Sequence, residues 1–144
     1  MATLEIRHHS HKVGVNVHHL EWCTKYRYKM FKKDKYKNFS EDVLRETAQR
    51  HKMIIRELSV MPEHIHISVE CLPSMSQSKA LQLLKGNLSF KLFRESENFG
   101  LRYPKRHFFS PGGLANSTGY TTVDVVDDYV KHQEDIHQMQ LTAF

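Results

Sequence analysis

The sequence predicts an α+β fold, one antiparallel sheet with helices packed on it, and three observations carry that prediction. Residues 13–28, 52–60 and 64–71 alternate apolar and polar with period two, the pattern of half-buried strands. Residues 38–51 and 76–93 repeat apolar side chains every three or four positions, the pattern of amphipathic helices. Closed by an aromatic segment at 105–116, the order is strand, helix, strand, strand, helix, strand. That is the βαββαβ order of a ferredoxin-like sandwich.

In the first strand, His18, Leu20, Trp22, Thr24 and Tyr26 share one face. Residues 29–37 are basic and aromatic without a period and read as a loop. Asn38 with Glu41 resembles a capping box, and Leu44, Ala48 and His51 run along one helical stripe. The second strand sets Ile54, Leu58 and Val60 on one side. Met61-Pro62-Glu63 turns the chain, because Pro62 cannot donate to a ladder. So short a connection pairs its two strands as a hairpin. In the third strand, Ile65, Ile67, Val69 and Cys71 face one way, and His64, His66, Ser68 and Glu70 the other. With the apolar side against the helices, His64 and His66 are expected on an open sheet face. Ser74 with Gln77 suggests a second capping box, followed by Leu81, Leu84, Leu88 and Leu92 at helical spacing. The 105–116 segment holds Phe108-Phe109 and a Pro/Gly turn and is expected as the fourth strand. Thr121 and Asp124 cap a last helix reaching about Gln140.

A chain of 144 residues is sized for one domain. Residues 1–14, with His8-His9-Ser10-His11, are expected as a flexible N-terminal arm. The net charge of +5 and a pI of about 9.2 suit a polyanionic partner, most often nucleic acid. Cys23 and Cys71 form no CxxC spacing, which excludes a four-cysteine zinc site. Two free thiols and no signal peptide are the composition expected of a cytoplasmic protein. No apolar run approaches the roughly 18 residues needed to span a bilayer.

Two constellations carry chemistry. His64 and His66 stand at i and i+2 of a strand, so their imidazoles point the same way and can converge on one metal ion. With 11 histidines, composition alone yields roughly 0.8 His-x-His per chain, so the patterned strand around the pair is what lifts it above chance. Tyr129 and Gln133 are four apart on the last helix and therefore share a face. A tyrosine can attack a phosphodiester covalently, and a metal held by two imidazoles and an amide oxygen keeps positions open for phosphate. Lys25, Arg27 and Lys29 alternate with Tyr26 and Tyr28 as in single-strand grooves, and Arg106 lies in a second basic patch. Taken singly, such basic runs also describe a solvated surface.

Met61-Pro62-Glu63-His64-Ile65-His66, followed by Tyr129-Val130-Lys131-His132-Gln133, resembles the HUH-superfamily single-tyrosine (TnpA-type) insertion-sequence transposases. Trp22-Cys23-Thr24-Lys25-Tyr26-Arg27 looks like that family's basic first strand, and Leu84-Lys85-Gly86 like its second helix. The likeness spans about residues 15–140. It implies His64, His66 and Gln133 as metal ligands, for Mg²⁺ or Mn²⁺, and Tyr129 as the nucleophile that forms a 5′-phosphotyrosine. It further implies DNA contacts from residues such as Lys85, hairpins at element ends as substrate, and a homodimer whose active sites are shared. Residues 111–119, rich in glycine, would serve as the hinge for that sharing. Two other readings remain: a ferredoxin-like single-stranded nucleic-acid binding module without catalysis, and a metal-dependent nuclease using Glu63 or Glu70 as general base.

Overall fold

The computed structural model describes residues 7–9, 12–14 and 16–118. Within the expected arm, β1 (Arg7–His9) and β2 (Lys12–Gly14) pair as a small antiparallel hairpin. The main sheet has four antiparallel strands in the order β4-β5-β3-β6, with β3 Asn16–Cys23, β4 Ile54–Val60, β5 His64–Cys71 and β6 Leu114–Thr118. Helices α1 (Asp34–Arg50) and α2 (Gln77–Glu95) connect them, and a short α3 (Glu97–Arg102) follows α2. This is the ferredoxin-like arrangement that the element order predicts. None of the described helices is long and apolar enough to cross a membrane.

The core lies between the helices and one sheet face. Leu20 and Trp22 from β3, with Ile65, Ile67, Val69 and Cys71 from β5, meet Val43, Leu44 and Ala48 of α1 and Ala80, Leu84, Leu88 and Leu92 of α2. The α2 residues recur every four positions and are fully buried, so this helix contacts the sheet through one straight stripe. Asn87 donates to the Thr47 hydroxyl at 2.7 Å and ties the two helices together.

Several elements differ from expectation for local reasons. The first strand ends at Cys23, because Tyr26 (φ 63°) and Arg27 (φ 53°) adopt left-handed backbone and turn the chain through a short 3-10 segment, leaving Tyr26 exposed. Helix α1 begins at Asp34, so Asn38 and Glu41 lie inside it and cap nothing; His51 is its C-cap. The N-cap of α2 is Ser76, whose hydroxyl accepts from Lys79 N at 3.0 Å, two residues later than the expected Ser74 box. In β4 a bulge between Ile55 and Glu57 exchanges the faces: Ile55 packs on the core with Leu58, while Ile54 is exposed. Phe108 and Phe109 are core residues of a loop that touches the sheet through an isolated bridge from Phe109 to Thr24, and the fourth strand starts only after the glycines.

The second sheet face is not open along its length. Val17, His19, Ser68 and Glu70 are buried there, and exposure increases toward His64. The stretch expected as a hinge is fastened as well. Lys85 Nζ donates to the carbonyls of Ser110 (2.7 Å) and Gly112 (2.6 Å), and residues 114–118 pair with β3. Gly113 is required at this junction, since a Cβ there would stand 2.6 Å from the Glu21 carbonyl oxygen.

Candidate active site

The β4–β5 turn is closed by one bond of its own and clamped by two from outside. Met61 N donates to His64 O (2.8 Å), Thr24 N to Glu63 O (2.9 Å) and Phe31 N to Pro62 O (3.0 Å). The turn cannot slide, so β5 leaves it in one register, with His64 and His66 on the face away from the helices. Their rings lie 4.7 Å apart, centroid to centroid, at 84°. His64 Nδ1 meets Glu63 Oε1 at 3.0 Å. When Nδ1 carries the proton and donates it to Glu63, the lone pair of His64 is on Nε2, the usual orientation of a metal-binding histidine.

Antiparallel pairing sets Glu21 of β3 opposite His66, and Glu21 Oε1 lies 3.6 Å from His66 Nε2. Among the described residues, Glu21, His64 and His66 bring one ligand atom each within 4.8 Å of one another. Burial holds the His66 imidazole below its ordinary value; the Glu21 carboxylate opposes this and His64 adds to it. The downward shift favours the neutral ring, the form in which a histidine ligates a metal. The expected pair is thus brought together. Glu21 was not named from the sequence, and Glu63 was named there only as a candidate general base, not as the partner of His64. Register was the signal for Glu21, since pairing Trp22 with Ile65 forces Glu21 onto His66. Tyr129 and Gln133 lie outside the described residues.

The expected DNA contacts divide among three depressions. Lys25, Lys85 and Arg106 line a cleft of about 620 Å³ along α2, beside Gly86 and His107. Lys29 joins Lys32, Lys33 and Arg102 around a second of about 390 Å³. Arg27 lines a third of about 310 Å³ that reaches Glu21 and Cys23. Lys85 spends its ammonium on the Ser110 and Gly112 carbonyls, and burial lowers its proton affinity, so its first role is structural. Tyr26, Tyr28 and Tyr103 form a cluster with ring centroids 5.5 to 6.5 Å apart, and the Arg102 guanidinium sits 4.3 Å from the centre of Tyr28.

Residues 13–133 match the family described as IS200-like transposases. The transposase of insertion sequence IS200 from Salmonella typhimurium is 29% identical over 116 residues, covering 81% of this chain and 75% of the relative. The ISDra2 transposase TnpA of Deinococcus radiodurans is 22% identical over 118 residues, covering 82% and 84%. Among solved structures, a Deinococcus radiodurans protein provisionally assigned as a transposase aligns with a TM-score of 0.72 at 20% identity, covering 90% of this chain and 98% of that one. A REP-associated tyrosine transposase bound to a REP hairpin aligns with a TM-score of 0.58 at 15% identity, covering 92% and 69%. At those identities the solved structures speak for the fold.

Proposed function

This chain belongs to the IS200-like transposase family, and on that premise we propose that it cleaves and rejoins single-stranded DNA at hairpin-bearing element ends. Tyr129 is the nucleophile. Its phenol oxygen bonds to the scissile phosphorus as the bond to the 3′ oxygen breaks; the phenol gives up its proton and the departing oxygen gains one. The products are a 5′-phosphotyrosine and a free 3′-hydroxyl. Rejoining runs the same exchange backwards with a 3′-hydroxyl from another end, so each phosphodiester lost is regained without an outside energy source.

The donor set fits a divalent ion, Mg²⁺ or Mn²⁺: two imidazoles that converge, one with its outer nitrogen held by Glu63. His64 and His66 would hold it with Gln133 as the amide ligand, and when bound it supplies positive charge to a phosphate oxygen. The chain's own residues do the rest. Glu63 fixes the His64 ring, and burial favours the neutral form of His66. Lys25, Arg27, Lys29 and Arg106 attract the backbone, and Lys85 steadies the loop beside them. The hairpin bound to the REP-associated relative supports a folded single strand as the substrate here.

The observation that carries this reading is the convergence of His64 and His66 on one point of a rigid strand. The placement of Glu63 and Glu70, the two general-base candidates, weighs against a nuclease without a covalent intermediate. Glu63 is engaged on His64, and Glu70 is buried, six residues from His64 along a strand that rises about 3.3 Å per residue. The test is a labelled single-stranded hairpin oligonucleotide incubated with protein and Mg²⁺ or Mn²⁺. A denaturation-resistant adduct is expected for the wild type and none for Tyr129→Phe. Cleavage that persists in Tyr129→Phe, with no adduct in the wild type, would overturn the proposal. We further propose a homodimer whose sites are completed in trans. Mixing His64→Ala with Tyr129→Phe subunits should then restore cleavage, with DNA attached only to the His64→Ala chain. A silent mixture that contains heterodimers would place the site in cis.

A further inference from the structure

We propose that Glu21 is a direct ligand of the divalent ion, so that the sheet alone offers a two-histidine, one-carboxylate site. The inference rests on the metal reading above and adds a residue to it. Three observations carry it. Glu21 and His66 face each other across the β3–β5 ladder, on two strands whose register is fixed over eight residue pairs. The ligand atoms of Glu21, His64 and His66 lie within 4.8 Å of one another. The Glu21 Oε1 to His66 Nε2 separation is 3.6 Å.

That last distance can be set against two roles. A carboxylate that served only to orient His66 would sit at about 2.7–3.2 Å, hydrogen-bonded to the ring. Two donors each bonded at about 2.1 Å to one ion stand roughly 3.0–3.5 Å apart. Glu21 is beyond hydrogen-bonding range and near the spacing of co-ligands. The His64 ring already has its orienting carboxylate in Glu63 at 3.0 Å, so the two glutamates divide the work between holding a ring and holding the ion. An anionic oxygen among two imidazoles also shifts preference toward hard ions such as Mg²⁺ and Mn²⁺. Three donors grouped on one side leave the remaining positions for water and phosphate.

The consequence is that the sheet alone supplies three donors, so the ion should bind to the protein without DNA. The test is Mn²⁺ binding to the full-length protein without DNA, followed by electron paramagnetic resonance of free Mn²⁺, together with the visible spectrum of the Co²⁺ form. Expected is binding by the wild type and a loss of at least about tenfold in Glu21→Val. The Co²⁺ spectrum should change in Glu21→Val and in the milder Glu21→Gln. Glu21→Val binding Mn²⁺ like the wild type would overturn the proposal. So would weaker binding with an unaltered Co²⁺ spectrum, which would make Glu21 a positioning residue for His66. A wild type that binds no Mn²⁺ without DNA also overturns it, while metal-dependent cleavage would leave the reading beneath it intact. Metal-independent cleavage by the wild type is the separate result that would remove that reading.

Discussion

Strand β5 presents Ile65, Ile67, Val69 and Cys71 to the helices and His64, His66, Ser68 and Glu70 to the opposite side. The helix side is dry from end to end, with every residue at 0 or 1% exposure. The polar side is graded: Ser68 and Glu70 are buried, His66 is at 9%, and His64 is half-buried. One strand thus serves two purposes with the same alternation. Apolar residues on the first side can be exchanged within limits of volume, because they contribute through area removed from water. On the second side, identity matters at the half-open end, where desolvation and access to a ligand coexist.

The largest expected effect is on chemistry. His66→Ala should lower single-stranded cleavage by about a thousandfold or more, the several kcal/mol a ligated ion contributes, while the melting temperature stays within a few degrees. A collapsed melting temperature would mean that the polar side is as structural as the other. Next, Ile67→Ala should cost about 3–4 kcal/mol in urea unfolding, since its side chain is fully buried. A cost below about 1 kcal/mol would show that the core repacks and the two sides differ less than their burial implies.

Two smaller effects mark where the structural surface ends. The Tyr103 hydroxyl donates to the Lys25 carbonyl at 2.9 Å, and burial chiefly pushes its pKa up to about 12. Tyr103→Phe should cost about 1 kcal/mol at neutral pH. Because the folded value lies above the unfolded one, near about 10, the wild-type advantage is full below about pH 10 and fades as pH rises through 12. Unfolding curves at pH 8 and pH 11 for both proteins would check the sign. Smallest is Gly86→Ala. A Cβ at Gly86 meets nothing within 4 Å, so the helix should gain about 0.5–1 kcal/mol, read as a slightly raised melting temperature. A loss instead would mean that α2 is not free to accept a methyl on its cleft side.

Both sides of β5 were legible in the sequence because alternation is local, and so was the His64–His66 pair. Glu21 was not. Its place beside His66 depends on which residue of β3 faces that histidine, a pairing across 45 positions that no local pattern encodes. The β4 bulge hid for a related reason: one extra residue reverses the faces, so Ile54 read as core and Ile55 carried the contact. The helix starts were misread because a capping pattern was taken as a boundary: Asn38 and Glu41 fall inside α1, whose N-cap Lys33 makes no side-chain cap bond, and Ser76 rather than Ser74 caps α2. The closure over Ser68 and Glu70 was invisible, since polar side chains in a strand read as solvent-facing by default.

The left-handed pair at Tyr26 and Arg27 behaves as a wound spring. Each residue stores about 1–2 kcal/mol of backbone strain, and two hydroxyls act as the catch: Thr24 on the Tyr28 carbonyl at 2.6 Å and Tyr103 on the Lys25 carbonyl. Releasing the catch, as Thr24→Val would, lets this segment uncoil ahead of the sheet, and its amides should exchange with solvent first. While the catch holds, whatever lands on Tyr26 and Arg27 meets side chains whose backbone was already set during folding, and little ordering entropy is left to lose on contact.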